Sequence, residues 1–308
     1  MGSDALKTPV AFFVFRRPDT TQQVFDRIAQ ARPRKLLLVA DGPRQDRPGE
    51  ADACRQVREI VARVDWPCEV FRNFSERNLG CGERMISGLN WVFSQVEEAI
   101  ILEDDCLPDF SFFRFCEELL EKYRDDDRIA YISGDNLVGK AGGPADSFYF
   151  SRIGGIWGWA TWRSEWQRYD RHLNDWPTIR EQGLLKELFD EPEAIAFWNR
   201  IFDAMHDKTG PDTWDYQWLF TGLKNNSLTI VPSVNLITNI GFGANATHTI
   251  QADSPFRLPA ATMKFPLNYP ASFIPLRSLD RLRVRAMLPP ALHRRIATAI
   301  AKVASRFR

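Results

Sequence analysis

Four short apolar runs break the polar background of the first half of the chain: 9–15 (Pro-Val-Ala-Phe-Phe-Val-Phe), 35–40, 99–102 and 129–133. Each is nearly continuous rather than alternating, the pattern of strands covered on both faces. Between them, residues 19–31, 50–64, 82–96 and 109–124 space their apolar positions at helical intervals, as with Phe112, Phe113, Cys116, Leu119, Leu120 and Tyr123. Strands alternating with helices predict βαβ units, hence an α/β fold with a mostly parallel sheet flanked by helices.

Beyond Gly134 the texture is less regular. It holds a Gly/Trp-rich stretch at 153–166, helical patterns near 178–190 and 192–207, and the aromatic cluster Trp214, Tyr216, Trp218. Five prolines between 252 and 276 predict an extended segment. From Leu279 onward, Leu282, Val284, Met287, Leu288, Leu292, Ile296, Ile300, Val303 and Phe307 are interleaved with basic residues, and Pro289-Pro290 splits this C-terminal helical tail in two. One large domain over 1–250 is expected, then a Pro-rich segment at 251–278 and a basic amphipathic tail at 279–308.

With 44% hydrophobic and 26% charged residues, the 308-residue chain has the composition of a packed globular protein. Its zero formal net charge is unevenly spread: residues 271–308 hold nine basic residues against Asp280 alone, which leaves 31 basic against 39 acidic residues on the rest. A mildly acidic body argues against a nucleic-acid surface, whereas the tail has the makings of an interfacial helix for an anionic membrane. The same amphipathicity suits packing on the domain, so both readings of the tail stand. Cys54, Cys68, Cys81, Cys106 and Cys116 form no close pair and predict reduced thiols. No apolar run approaches the ~20 residues of a membrane span, and Pro9 to Phe15 is too short for a secretory leader. The expectation is a cytoplasmic protein, peripheral at the inner membrane face if the tail binds lipid.

The strongest chemical signal is Ile100-Ile101-Leu102-Glu103-Asp104-Asp105, a buried-strand pattern that stops in three carboxylates. Ligands in open α/β sheets bind at the carboxyl ends of strands. Clustered carboxylates raise one another's pKa unless a cation or another positive group neutralises them. An all-oxygen set suits Mg²⁺ or Mn²⁺ with a diphosphate as the remaining ligand. By contrast Asp125-Asp126-Asp127 follows no strand and reads as a solvated turn. Gly80-x-Gly82 ahead of a helix is placed to present backbone N–H groups to a phosphate. Asp212 precedes a helical pattern and reads as its N-cap. Trp157, Trp159 and Trp162 suit either a sugar platform or the core.

Taken in order, these segments resemble GT-A-fold nucleotide-sugar glycosyltransferases of the N-acetylglucosaminyltransferase I type, with soluble bacterial relatives nearer than membrane-anchored ones. The resemblance rests on strand then Arg17-Pro18, strand then Asp41-Gly42, Asn78-Leu79-Gly80, Glu103-Asp104-Asp105 and Ser133-Gly134-Asp135-Asn136. It continues through Gly154-Gly155-Ile156-Trp157-Gly158-Trp159, Trp214-Asp215-Tyr216-Gln217-Trp218, and Asn239-Ile240-Gly241-Phe242-Gly243 with His248, covering roughly 9–250. It implies a nucleotide-sugar half at about 1–135 and an acceptor half at about 136–250. Arg17 and Asp41 would lie at the nucleotide end, Asp41 accepting from the base, with Gly80 near the phosphates. Glu103 and Asp104 would hold the ribose and metal-bound water. Asp105 would be the principal ligand of a divalent metal, Mn²⁺ or Mg²⁺, with His248 on the metal or diphosphate. Asp215 would be the catalytic base, and Trp157 and Trp159 the acceptor-side platform. The implied partners are a UDP-sugar donor, with N-acetylglucosamine as the family's sugar, and a glycan or glycolipid acceptor. The chain departs from the pattern at Tyr216, where a second acidic residue is usual.

Transfer of a sugar from a diphosphate suits this division of labour. A divalent cation stabilises the charge on the leaving diphosphate, and a carboxylate takes the proton of the attacking hydroxyl, inverting the anomeric centre. One alternative is a sugar-phosphate nucleotidyltransferase. It would carry a Gly-rich loop after the first strand, where this chain has Arg16-Arg17-Pro18-Asp19. Another is a non-catalytic nucleotide-sugar or glycan-binding protein of the same fold.

Overall fold

The computed structural model describes residues 5–138, 145–241 and 258–288. The first half runs β1 (Val10–Val14), α1 (Pro18–Ala31), β2 (Lys35–Ala40), α2 (Glu50–Val61), β3 (Glu69–Phe74), α3 (Cys81–Gln95), β4 (Glu98–Glu103), β5 (Cys106–Pro108), α4 (Ser111–Lys122) and β6 (Ile129–Ser133). The second half adds β7 (Phe148–Ser151), β8 (Trp159–Trp162), α5 (Arg163–Trp166), α6 (Trp176–Gln182), α7 (Leu184–Leu188), α8 (Pro192–His206), α9 (Asp215–Lys224), β9 (Leu228–Pro232), β10 (Ile237–Asn239) and α10 (Arg277–Met287).

Eight strands form one sheet in the order β3-β2-β1-β4-β8-β6-β9-β7. The pairs β3–β2, β2–β1, β1–β4 and β6–β9 are parallel, and only β8 and β7 run against the others. This is the α/β class with a mostly parallel, helix-flanked sheet expected from the sequence. The continuous apolar runs follow from burial on both faces. Val10, Phe12, Leu36 and Leu38 pack beneath α1 and α4 against Val24, Ile28, Phe112 and Leu119. Ala11, Phe13, Leu37 and Val39 face α3 through Leu89, Val92 and Phe93.

Chain order reverses at β1, which lies between β2 and β4. Phe12 pairs with Leu102, Phe13 with Glu103 and Val14 with Ala40, so the three strands end together. A crevice at the carboxyl ends of such strands is where open sheets bind ligands. Pro18 starts α1 directly after the β1 loop, its missing N–H costing nothing in the first turn.

The second half departs from the expected pattern in detail. The helical stretch near 178–190 is two short helices, broken at Gly183, whose φ of +72° closes α6. The Gly/Trp-rich stretch contributes β8 to the middle of the sheet. Residues 258–276 form neither helix nor strand but pack closely, with Met263 and Leu267 buried and Ala261 N donating to Asn235 O at 2.7 Å. The tail as far as Leu288 lies on the domain. Leu279 joins Tyr149 and Val231, while Val284 and Leu288 join the cluster of Trp176, Trp198, Phe202 and Phe220 under α6, α8 and α9. Before α10, Leu276 N donates to Phe150 O on β7 at 3.2 Å. Within α10, Asp280 accepts from Ser151 Oγ at 2.5 Å. The second tail segment, 291–307, lies outside the described residues. Among the described residues no helix is long and apolar enough to cross a membrane. All five cysteines are free.

Candidate functional site

A cavity of about 600 Å³ opens at the carboxyl ends of β1, β2 and β4. It is lined by the loops after these strands, the start of α3, the 211–216 segment and the strand end at Asn239. Arg17, Asp41, Gly80, Glu103, Asp104, Asp105, Trp157 and Asp215, scattered over some two hundred residues of sequence, all border it.

The acidic turn closes one wall. β4 ends at Glu103, and the turn through Asp104 and Asp105 leads into β5. Asp104 is 3% exposed. Phe15 N donates to its Oδ2 at 3.1 Å. Arg17, in the loop after β1, bridges the two carboxylates: Nη2 lies 2.9 Å from Asp104 Oδ1 and Nη1 2.8 Å from Asp105 Oδ2. Burial works against the Arg17 charge, but Asp104 and Asp105 outweigh it and raise its pKa. The positive group that the acid cluster requires is therefore supplied by the chain itself. Relief is incomplete. Burial, then Asp105 and Asp104, push the Glu103 carboxyl up to about 8. Burial also pushes Asp104 to about 6, with Arg17 opposing.

Among the described residues no three His, Cys, Asp or Glu side chains form a ready-made metal cage. A divalent cation on a diphosphate needs only one or two protein carboxylates. The donor set fits that case: Asp105 is partly exposed, and Glu103 is an incompletely neutralised carboxyl beside it. The two-stranded sheet β5–β10 brings Asn239 opposite Cys106, and Ile240 N donates to Asp105 O at 2.8 Å. Gly241 then lies against the Asp105 carboxylate, where a Cβ would collide with it. His248 lies outside the described residues.

On the β2 side of the cavity, Asp41 is held by bonds from the chain itself. It is 5% exposed, and its Oδ1 accepts from Gly42 N at 2.8 Å and Leu79 N at 3.0 Å, while Oδ2 accepts from Asn78 Nδ2 at 2.9 Å. Burial raises its pKa against these bonds. Most of its accepting capacity is thus spent holding the 78–80 loop. Arg84, one turn into α3, is 7% exposed and lines the cavity, its Nη2 donating to Asn73 Oδ1 at 2.9 Å. Burial lowers its pKa. Nothing in the sequence flagged Arg84, since an arginine on an amphipathic helix ordinarily faces solvent.

Gly80 differs from expectation. The amides at the start of α3 do not face open space: Cys81 N and Gly82 N donate to the Asp212 carboxylate at 2.9 and 3.0 Å. Asp212 is accordingly not the N-cap of the helix that follows it. That helix, α9, starts at Asp215 after Trp214, with no side-chain cap. The first turn of α3 was too far away in sequence, 130 residues, for the contact to be foreseen.

Asp215 borders the cavity and accepts from Thr213 Oγ1 at 2.5 Å. The two expected platform tryptophans separate. Trp157 lines the cavity, and its backbone N donates to Asp135 Oδ2 at 3.2 Å. Trp159 is 1% exposed, its ring stacked 5.5 Å from Trp214 and edge-on to Tyr131 at 5.9 Å, so it belongs to the core and offers no face to a sugar. Its position in β8, paired to both β4 and β6, dictates this. Tyr216, beside Asp215, also lines the cavity.

No family model matches the sequence, and no curated protein matches it. Solved structures do match. The mannosyltransferase PcManGT from Pyrobaculum calidifontis, in complex with GDP-Man and Mn²⁺, is 15% identical over 53% of this chain and 46% of its own, with a TM-score of 0.35. A UDP-glucose pyrophosphorylase complexed with UDP-glucose is 11% identical over 49% of this chain and 64% of its own, with a TM-score of 0.27. The chain thus covers about half of one neighbour and under two thirds of the other.

Proposed function

We propose that this protein is a glycosyltransferase that moves a sugar from a nucleotide diphosphate sugar to a hydroxyl of a glycan or glycolipid, with inversion. The observation that carries the reading is a single cavity, at the reversal point of the sheet, bordered by both an acidic turn with its arginine and a separate carboxylate, Asp215. In this reading Asp105 holds a divalent cation, Mn²⁺ or Mg²⁺, on the diphosphate, and Glu103 and Asp104 complete the acidic wall. When bound, the cation stabilises negative charge on the departing diphosphate.

The chain's own residues do the rest. Arg17, already committed to Asp104 and Asp105, fixes the orientation of both carboxylates. Asp41 holds the 78–80 loop as one wall, a positioning duty rather than the base contact that the family resemblance implies. Asp215 takes the proton from the acceptor hydroxyl as its oxygen bonds to C1 and the bond from C1 to the phosphate oxygen breaks. Trp157 and Tyr216 offer the aromatic faces for the sugars. The resemblance names UDP-N-acetylglucosamine as the first donor to try.

Calorimetric titration with nucleoside diphosphates, with and without Mn²⁺, tests the donor half of the reading on wild type and Asp105→Ala. A ligand at one hundred times its dissociation constant stabilises the native state by about 2.7 kcal/mol. Metal-dependent binding of one diphosphate, lost in Asp105→Ala, is expected. Absence of binding by any of them overturns the donor site. Binding without transfer to any hydroxyl acceptor leaves a nucleotide-sugar-binding protein instead.

A further inference from the structure

The first-turn amides of a helix have no partner within it and carry its positive dipole end. At α3 these amides are met by a side chain 130 residues away: Asp212 Oδ2 accepts from Cys81 N and Oδ1 from Gly82 N. Both nearby glycines are shaped to this contact. A Cβ on Gly80 would lie 2.5 Å from Asp212 Oδ2, and one on Gly82 would lie 2.7 Å from Oδ1 and 3.0 Å from Thr213 O. The glycines therefore admit a carboxylate from the chain itself.

Three residues beyond Asp212 is Asp215. Between them, Thr213 donates its hydroxyl to Asp215, and Trp214 O accepts from Tyr169 OH at 3.1 Å. Because α9 has no side-chain cap of its own, the entry to it is set from outside, by the bonds of Asp212 to α3 and by the seat of Trp214 on Trp159. The other end of the connection reaches the opposite half of the cavity. The chain entering α3 is held through Leu79 N by Asp41, which stands at the end of β2.

We propose that Asp212 is a positioning residue for Asp215: by clamping the 211–214 segment to the start of α3, it fixes the carboxylate relative to the wall that holds the donor. The proposal rests on the reading of Asp215 as the base. A simple helix cap would support α3 alone, and its loss would disturb the donor wall first. A positioning clamp acts on the other side, since α3 keeps its hold on β2 through Asp41 and the freed element is the short 211–214 segment.

The test uses the full chain with Asp212→Ala and Asp212→Asn, measuring transfer kinetics, diphosphate binding by calorimetry and amide hydrogen exchange. Misplacing a reacting group by about 1 Å can cost on the order of 10²-fold. A fall of about that size in kcat is expected for Asp212→Ala, with donor KM and diphosphate affinity within about twofold of wild type. Asp212→Asn retains an accepting oxygen and is expected to recover part of kcat. Exchange should quicken at Trp218, whose amide donates to Trp214 O, as well as at Cys81 and Gly82. An unchanged kcat overturns the proposal, as does a joint loss of donor binding and kcat. Should the wild type transfer no sugar, the glycosyltransferase reading fails by itself. The clamp is then judged by exchange, and unaltered protection of the Trp218 amide in Asp212→Ala overturns it.

Discussion

Arg283 on α10 is bonded to Asp135, 148 residues earlier in the chain, and the two side chains are 1% and 3% exposed. Asp135 in turn accepts from Trp157 N, so a helix near the C-terminus braces a residue of the cavity wall. Removing one partner of a buried pair leaves the other charge uncompensated, at a cost of about 3–5 kcal/mol. Arg283→Met is therefore expected to lower stability by that order in urea denaturation. The double variant with Asp135→Asn should recover much of the loss. Additive losses in the double-mutant cycle would show that the pair is not coupled.

Arg17 supplies Asp104 and Asp105 with a counter-charge from within the chain. Chelation of divalent metal should leave the thermal midpoint of the wild type unchanged in the absence of nucleotide. Arg17→Ala removes the counter-charge from Asp104 and Asp105, so its midpoint should fall and Mn²⁺ should restore part of it. A wild-type midpoint that drops on chelation, measured by differential scanning calorimetry, would show that Arg17 is not the counter-charge that holds the turn.

The two platform tryptophans should part company experimentally. Trp159→Ala opens a cavity among Tyr131, Trp214 and Trp218 and should cost about 3–5 kcal/mol of stability. Trp157→Ala borders the cavity and should instead raise the KM for donor or acceptor, with a smaller change in urea midpoint. Steady-state kinetics beside denaturation separates the two.

Glu50, at the start of α2, is 5% exposed and accepts from the backbone N, Nε and Nη2 of Arg44. The Arg44 side-chain bonds hold its carboxyl below the ordinary range, against burial. A depressed carboxylate pKa contributes stability that is present above the unfolded value, about 4.3 for Glu, and is lost as pH falls through the folded value. Wild type should thus lose stability in that acidic window by more than Glu50→Gln does, as read from urea midpoints at pH 7 and pH 3. Equal losses would mean that the bonds to Arg44 do not favour the charged form.

What the sequence revealed, and what it hid, follows from the range of the interactions. β1, β2, β4 and β6 were legible because burial on both faces leaves an uninterrupted apolar run, and the acidic turn because such a run stopped at Glu103. β3, reading Glu-Val-Phe-Arg-Asn-Phe at the sheet edge, is only half covered and gives no such run. The Asp212 clamp and the Arg283 pair join residues more than a hundred positions apart, beyond any local pattern. Arg283 was also disguised by its setting, since a basic residue in an amphipathic helix looks like part of its wet face. Trp157 and Trp159 differ by two positions and look alike in sequence; only the strand pairing of β8 sends one of them into the core.

The α10 segment has a further bearing on how the molecule behaves among its own copies. Among the described residues, β7, reading Phe-Tyr-Phe-Ser, is the last strand of the sheet and pairs with β9 alone. Leu276 N covers its outer side at Phe150 O, Asp280 accepts from the Arg152 amide just past its end, and Asn268 O accepts from Ser147 N just before it. An uncovered edge of aromatic strand is a template for pairing with another chain. A chain shortened before Leu276 would lose the cover at Phe150 and Arg152 and keep only that of Asn268 at Ser147, and the fate of this partly opened edge would be decided by protein concentration: soluble when dilute, drawn into sheet-to-sheet aggregates when crowded.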